Sequence, residues 1–277
     1  MADNWQTVRE WPELILQRLE GGGVARMLLN RPERRNALNQ ALCEAALESL
    51  DIIRGDPEIK AVITKGNGPV FSSGLDLYYL RSTSEGPLRD WDRPTHTVEL
   101  IQTIREFPRI MIAQVHGYVL GGAFGLMNVH DLVFAADNTQ IGMPEILRGS
   151  FGQVATSTLY HSGIPIKKAA YVALIGRNLS GAECDRLGLV TQSFPEADLE
   201  EETLKIAREI GTRHLVPLQH AKIAAHFGME LPLPRAIQLD WLVGARQRLG
   251  IDPTEHVEEY LRSQKGGANV DYKRPDV

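Results

Sequence analysis

Met111-Ile112-Ala113-Gln114-Val115, Gly117-Tyr118-Val119-Leu120-Gly121-Gly122-Ala123, Asp131-Leu132-Val133-Phe134-Ala135-Ala136 and Pro144-Glu145, met in that order, decide the fold of this chain. The first and third segments are short apolar runs of strand length. The second carries no large polar side chain and holds a glycine pair where a helix is due to open. Such a pair leaves main-chain N–H groups without partners and lets a ligand approach the backbone. A developing negative charge is favoured there by the free donors and by the helix dipole. Glu145 follows the next strand, so one carboxylate is expected beside a set of anion donors.

The same alternation extends outward. Leu14–Glu20 alternates apolar and polar residues, Gly21-Gly22-Gly23 makes a turn, and Val24–Asn30 resumes as a strand, which reads as a hairpin. Asn36–Arg54 has helical periodicity, with Leu38, Leu42, Ala45, Ala46, Leu50 and Ile53 on one face. Ala61–Thr64 reads as a strand, and Val70–Leu77 as a small-residue turn leading into a helix. Strands alternating with helices predict an α/β fold with mainly parallel pairing. From about Gly163 the pattern becomes almost wholly helical. Ser180-Gly181-Ala182-Glu183 predicts a helix start and Gly188 its end. Further helices are expected over Glu200–Thr212, Leu218–Phe227 and Ala236–Leu249. The expected organisation is a core over residues 1–195 and a helical region over 196–277.

Of 277 residues, 43% are hydrophobic, and the formal charge of −5 gives no case for non-specific nucleic-acid binding. The two cysteines, Cys43 and Cys184, stand in no metal-ligand or redox spacing. No uncharged apolar run reaches the ~18 residues of a membrane span, and the first residues lack the pattern of a signal peptide. A cytoplasmic protein with no membrane or nucleic-acid partner is expected. No Walker loop, dinucleotide fingerprint or metal cluster is read in the sequence.

Three motifs resemble the crotonase (enoyl-CoA hydratase/isomerase) superfamily. Leu28–Asn39 is similar to the segment that receives the CoA adenine and pantetheine, and includes Arg35 and Ala37. Phe71-Ser72-Ser73-Gly74-Leu75-Asp76-Leu77 resembles the loop that supplies one oxyanion-hole N–H, here from Leu75. His116–Phe124 resembles the segment that supplies the second, here from Gly122. The resemblance implies a crotonase-like spiral of ββα units, a homotrimer or dimer of trimers, and an acyl-CoA thioester substrate with no cofactor beyond its own CoA. Small residues at Ser73 and Gly121 would let the thioester lie on the backbone. Arg34, Arg35 and Lys222 would meet CoA phosphates, or simply face solvent. Tyr79, Phe124, Gln153 and Trp241 would line or orient the acyl group.

Hydratases of this family use two glutamates. The second matches Glu145, whereas the first position is held by Gly125. Relatives with only the second glutamate include double-bond isomerases and hydroxycinnamoyl-CoA hydratase-lyases. In the first, Glu145 would move a proton from C2 to C4. In the second it would protonate C2 during hydration, before a retro-aldol cleavage. A hydro-lyase is the first expectation and an isomerase the second. A hydrolase or decarboxylase on the same scaffold, and a non-catalytic CoA-binding protein, are the rivals. A glutamine at position 153 disfavours family activities that need a carboxylate there. Plainer readings stand beside these: Glu145 as a surface carboxylate paired with Arg148, Asp76 as a helix-starting residue, His130 as a core histidine and His116 as a loop hydrogen-bonding residue.

Overall fold

The computed structural model describes residues 4–78, 81 and 95–250. It divides into two compact units, one ending at Leu215 and one beginning at Val216.

In the first unit the hairpin forms as expected: β2 (Leu14–Leu19) and β3 (Val24–Leu29) pair antiparallel. A strand not anticipated from the sequence, β1 (Trp5–Glu10), adds to its edge. Parallel strands then follow across the sheet: β4 (Ala61–Gly66) beside β3, β5 (Ile110–Val115), β7 (Leu132–Ala136) and β10 (Gln192–Phe194). Side chains alternate across this sheet with the two-residue period of a strand. Ala25, Met27, Val62, Met111 and Ala113 enter the larger core, while Val24, Ala61, Ile63 and Ile112 enter a smaller one on the opposite face.

The larger core is closed by helices. In α1 (Gln40–Arg54), Leu42, Cys43, Ala45, Ala46, Leu50 and Ile53 are buried, each large apolar side chain contributing ~1.5–3 kcal/mol. The helix begins at Gln40 rather than at Asn36. Asn36 has a φ of 51°, outside the helical region, and Asn39 caps the helix by accepting the Leu42 N–H at 3.0 Å. Also on this face are α2 (His96–Glu106), α3 (Gly122–Asn128), α4 (Gln153–Tyr160) and α5 (Ile166–Ile175). The smaller core is covered by α7 (Leu199–Gly211), which inserts Leu199, Leu204 and Ala207. Glu200 on that helix pairs with Arg26 at 3.0 Å and with Lys65. The boundary expected at residue 195 therefore moves: α7 is held to the sheet, so the first unit extends to Leu215.

A second, small sheet forms from β6 (Tyr118–Leu120), β8 (Gln140–Gly142) and β9 (Leu179–Ser180). Both β9 and β10 interrupt the stretch expected to be almost wholly helical, because two or three residues are too few to show a strand's period. Between them α6 (Gly181–Leu187) opens on a reciprocal Ser180–Glu183 capping box and ends at Gly188, with a φ of 74°. His130 is buried, with its ring nitrogens 2.8 Å from the Leu126 carbonyl and from Thr64 Oγ1.

Most of α8 (Leu215–Gly228) and all of α9 (Leu233–Gly250) belong to the second unit. Pro232 separates them, and His220 Nδ1 lies 3.4 Å from Gln247 Oε1.

Candidate active site

The loop from Phe71 to Asp76 is stitched on both edges. On one side the Phe71 and Ser72 N–H groups donate to the His116 and Tyr118 carbonyls at 2.8 and 3.0 Å. On the other, the Leu38 N–H donates to the Gly74 carbonyl at 2.8 Å and the Asp76 N–H to the Leu38 carbonyl at 2.9 Å. Leu75 lies against Gly122: a methyl built on Gly122 would stand 2.9 Å from Leu75 Cγ and 3.4 Å from Leu75 N. Gly74 makes this approach possible. Its φ is +96°, and a Cβ there would stand well inside 3.0 Å of the Leu120 carbonyl oxygen and 3.3 Å from Gly122 N.

Gly121 has φ 55° and ψ −118°, which only glycine enters readily. Its N–H donates to the Gly142 carbonyl at 3.0 Å, and its own carbonyl accepts from Phe124 at 2.9 Å to start α3. Gly122 is the first residue of that helix, where an N–H has no intrahelical partner. Among the described residues neither the Leu75 nor the Gly122 N–H is given an acceptor.

Glu145 arrives by sheet register. β6 and β8 pair in parallel with Leu120 opposite Gly142, so the 3₁₀ turn Pro144–Arg148 that follows β8 lies beside the Gly121–Gly122 pair. A methyl on Gly121 would be 2.6 Å from Glu145 Oε1. The other oxygen, Oε2, is buried and has no hydrogen-bond partner among the described residues. Burial raises the Glu145 pKa above the ordinary carboxylate value, against smaller lowering effects from a backbone hydrogen bond and from Arg148. A carboxyl held this way changes its proton more readily near neutrality than an exposed one.

Position 125, expected to matter by what it lacks, is filled from outside. A methyl on Gly125 would touch the Ala155 main chain at 3.4 Å and Ile101 Cδ1 at 3.6 Å. Ala155 of α4 and Ile101 of α2 thus stand in van der Waals contact with the position a Cβ would take.

The other residues expected at the site separate into groups. Ser73 donates its N–H to the Arg35 carbonyl at 3.0 Å, which brings Arg35 against the loop from Phe71 to Asp76; Arg35 itself is exposed, with a φ of 50°. Ala37 is buried next to Leu38, and its carbonyl accepts from Arg31, whose guanidinium also pairs with Asp76 at 3.1 Å. Asp76 accepts the Tyr78 N–H at 3.0 Å, a turn-forming role. His116 meets the Gly68 carbonyl at 2.8 Å, as a loop residue. Gln153 opens α4, exposed. Phe124 is a correction: at 0% exposure it is a core residue, not a pocket wall, because α3 buries five consecutive residues from Ala123 to Met127. Tyr79 lies outside the described residues. Lys222 and Trp241 belong to the second unit, on α8 and α9.

Two residues went unnoticed in the sequence. Gly152 borders the Glu145 carboxyl, and its spacing gave no signal. Asn36 takes the left-handed conformation that asparagine tolerates. Its amide accepts the Arg31 N–H at 2.8 Å and donates to the Asn67 and Val70 carbonyls at 2.9 Å each, fixing the loop ahead of Phe71.

Residues 20–246 match the Enoyl-CoA hydratase/isomerase family, and the chain belongs to that family. It is 30% identical to a hydroxycinnamoyl-CoA hydratase-lyase of Pseudomonas fluorescens over 72% of this chain and 74% of that one. It is 31% identical to the 2,3-dehydroadipyl-CoA hydratase of Escherichia coli K12 over 91% and 96% of the two chains. The human enoyl coenzyme A hydratase domain-containing protein 3 superposes with a TM-score of 0.83 at 25% identity, over 91% of this chain and 98% of that one. The fold is thus the α/β crotonase fold. No helix among the described residues is long and apolar enough to cross a membrane.

Proposed function

We propose that the chain is an acyl-CoA hydro-lyase that adds water to an enoyl-CoA through a thioester enolate, with Glu145 as its sole acid/base. The observation that carries this reading is the half-buried Glu145 carboxyl next to Gly121 and Gly122, with one oxygen, and the Leu75 and Gly122 N–H groups, unpartnered among the described residues. The thioester oxygen would accept both N–H groups as it gains charge, each donor contributing on the order of 3 kcal/mol. The Glu145 carboxylate takes a proton from water as the hydroxyl adds at C3, the resulting enolate oxygen is held by the two N–H groups, and the carboxyl then passes that proton to C2, which restores the carboxylate. The cofactor requirement is none beyond the CoA that the substrate carries. Arg35, Ala37, Ser73, Gly121, Gln153, Lys222, Tyr79 and Trp241 are proposed to contact substrate. A cytoplasmic homotrimer or dimer of trimers is the proposed assembly, to be read by light scattering, with the helical C-terminal region serving its contacts and the closure of the site.

A second reading, double-bond isomerisation, is favoured by Gly125. That position brings no carboxylate, and moving a proton from C2 to C4 needs only one.

The test is a mass-resolved assay in deuterated water with crotonyl-CoA, a 3-enoyl-CoA and feruloyl-CoA. Gain of one water, or aldehyde plus acetyl-CoA from the aromatic thioester, supports the hydro-lyase. Deuterium incorporation with double-bond migration and no water gain makes it an isomerase. Glu145→Gln is expected to lower turnover at least ~100-fold; an unchanged rate removes Glu145 from the reaction.

A further inference from the structure

Gly152 has a backbone that does not need glycine. Its φ is −76° and its ψ 67°, and the Gln153 N–H donates across it to the Phe151 carbonyl at 2.9 Å. That is an inverse γ-turn, which L residues adopt freely. The absence of a side chain is therefore explained by space. A methyl built there would stand 3.0 Å from Met143 Cε, 3.2 Å from Glu145 Cδ and 3.3 Å from Glu145 Oε1. Met143 is 3% exposed and packed in the core, so a methyl at 152 would press on the carboxyl as well as on the methionine methyl. Gly121 bounds the other side of the same carboxyl, 2.6 Å from Oε1 to its absent Cβ. One glycine of this pair is required by conformation and the other by volume.

We propose that Gly152 is a positioning residue: by withholding a side chain it lets the Glu145 carboxyl rest against Gly121, beside the Leu75 and Gly122 N–H groups. The inference rests on the reading of Glu145 as the acid/base. The loop that carries the acid also carries the space for it, since the Ser150 N–H folds back to the Glu145 carbonyl at 3.1 Å. Gly152 is in turn fixed to α4, where its carbonyl accepts the Thr156 N–H at 2.7 Å. Three residues on, Ala155 lies against Gly125. The packing of α3 on α4 thus sets where the wall of the acid's niche stands.

Gly152→Ala and Glu145→Gln, singly and together, test this on whichever of crotonyl-CoA, the 3-enoyl-CoA and feruloyl-CoA is turned over. A carboxyl displaced by a fraction of an ångström predicts a fall of about 10-fold in kcat for Gly152→Ala. KM should change less than about twofold, because the thioester is held by main-chain donors that Gly152 does not touch. The acid limb of the pH–rate profile should move toward the ordinary carboxylate range as the carboxyl is pushed toward water. In the Glu145→Gln background the same methyl should have no effect on the residual rate. An unchanged kcat and pH profile for Gly152→Ala, an equal loss in both backgrounds, or loss of cooperative melting overturns the proposal. An unchanged rate for Glu145→Gln alone overturns the reading of Glu145 instead. A second measurement needs no turnover: ¹³C titration of the Glu145 carboxyl, identified by the signal missing from Glu145→Gln. Its midpoint is expected to fall in Gly152→Ala, and an unmoved midpoint counts against the positioning role.

Discussion

Gly74→Ala is the sharpest perturbation of the proposed oxyanion geometry that leaves every functional group in place. The alanine would have to hold a φ of +96° and bring its Cβ inside 3.0 Å of the Leu120 carbonyl oxygen. A strained backbone position costs ~1–3 kcal/mol, and overpacking against atoms that cannot swing away costs a further ~1–3 kcal/mol. A loss of about 3 kcal/mol is the expected sum, which lowers Tm by roughly 6–12 °C in a unit of this size. Relief of the contact must separate the 71–76 loop from the start of α3, and so move the Leu75 and Gly122 N–H groups apart. Misplacing one such donor lowers kcat about 10²–10³-fold. Gly188→Ala is the control: its φ is +74° but nothing lies within 4 Å, so it carries backbone strain alone and leaves kcat unchanged. Thermal melts and turnover of the two variants side by side give the answer. If Gly74→Ala melts within about 2 °C of Gly188→Ala and keeps the wild-type kcat, the proximity of Leu120, Gly74 and Gly122 described above does not govern activity.

Other outcomes follow from the same structure. Burial raises the Glu145 pKa in the fold, so the stability this group contributes is present below its unfolded pKa of ~4.3 and is lost as pH rises through the folded value. Glu145→Gln should therefore melt higher than the wild type at neutral pH, with the gap closing on acidification; a gap constant with pH contradicts the burial argument. Gly125→Ala should be tolerated, since its Cβ meets only ordinary contacts at 3.4–3.6 Å. Gly125→Glu should instead destabilise by at least ~3 kcal/mol through overpacking and a buried charge, readable as a lower urea midpoint and no gain in hydration. The Cys43 and Cys184 thiols are pushed up to about 11 and about 12 by burial. A disulfide reagent at pH 8 should label neither in the native protein and both in urea; rapid native labelling would contradict their burial.

Much of this was legible in the chain itself. The hairpin around Gly21–Gly23, the face of α1, the capping box at Ser180 and the glycine stop at Gly188 rest on periodicity and local backbone chemistry, which need no distant partner. The family motifs around Leu75 and Gly122, and the Pro144-Glu145 pair, likewise stand in continuous stretches, so these candidates are legible without any long-range contact. The errors lie where a property depends on a neighbour far away in sequence. β9 and β10 exist only because other strands pair with them, and Phe124 looked like a pocket wall until α3 was seen buried around it. The core boundary at 195 ignored the grip of Glu200, Arg26 and Lys65, which are brought together across the sheet.

The sequence by itself determined the class of fold and singled out the candidate groups of the proposed site, because local periodicity and contiguous motifs encode both. Tertiary structure alone decided their arrangement. Only the parallel register of β6 with β8 puts Glu145 beside Gly121, only the approach of α4 to α3 gives Gly125 its neighbours, and only the meeting of residues 143, 145 and 152 shows why position 152 carries no side chain. Register and packing are relations between segments distant in the chain, and no single segment carries them.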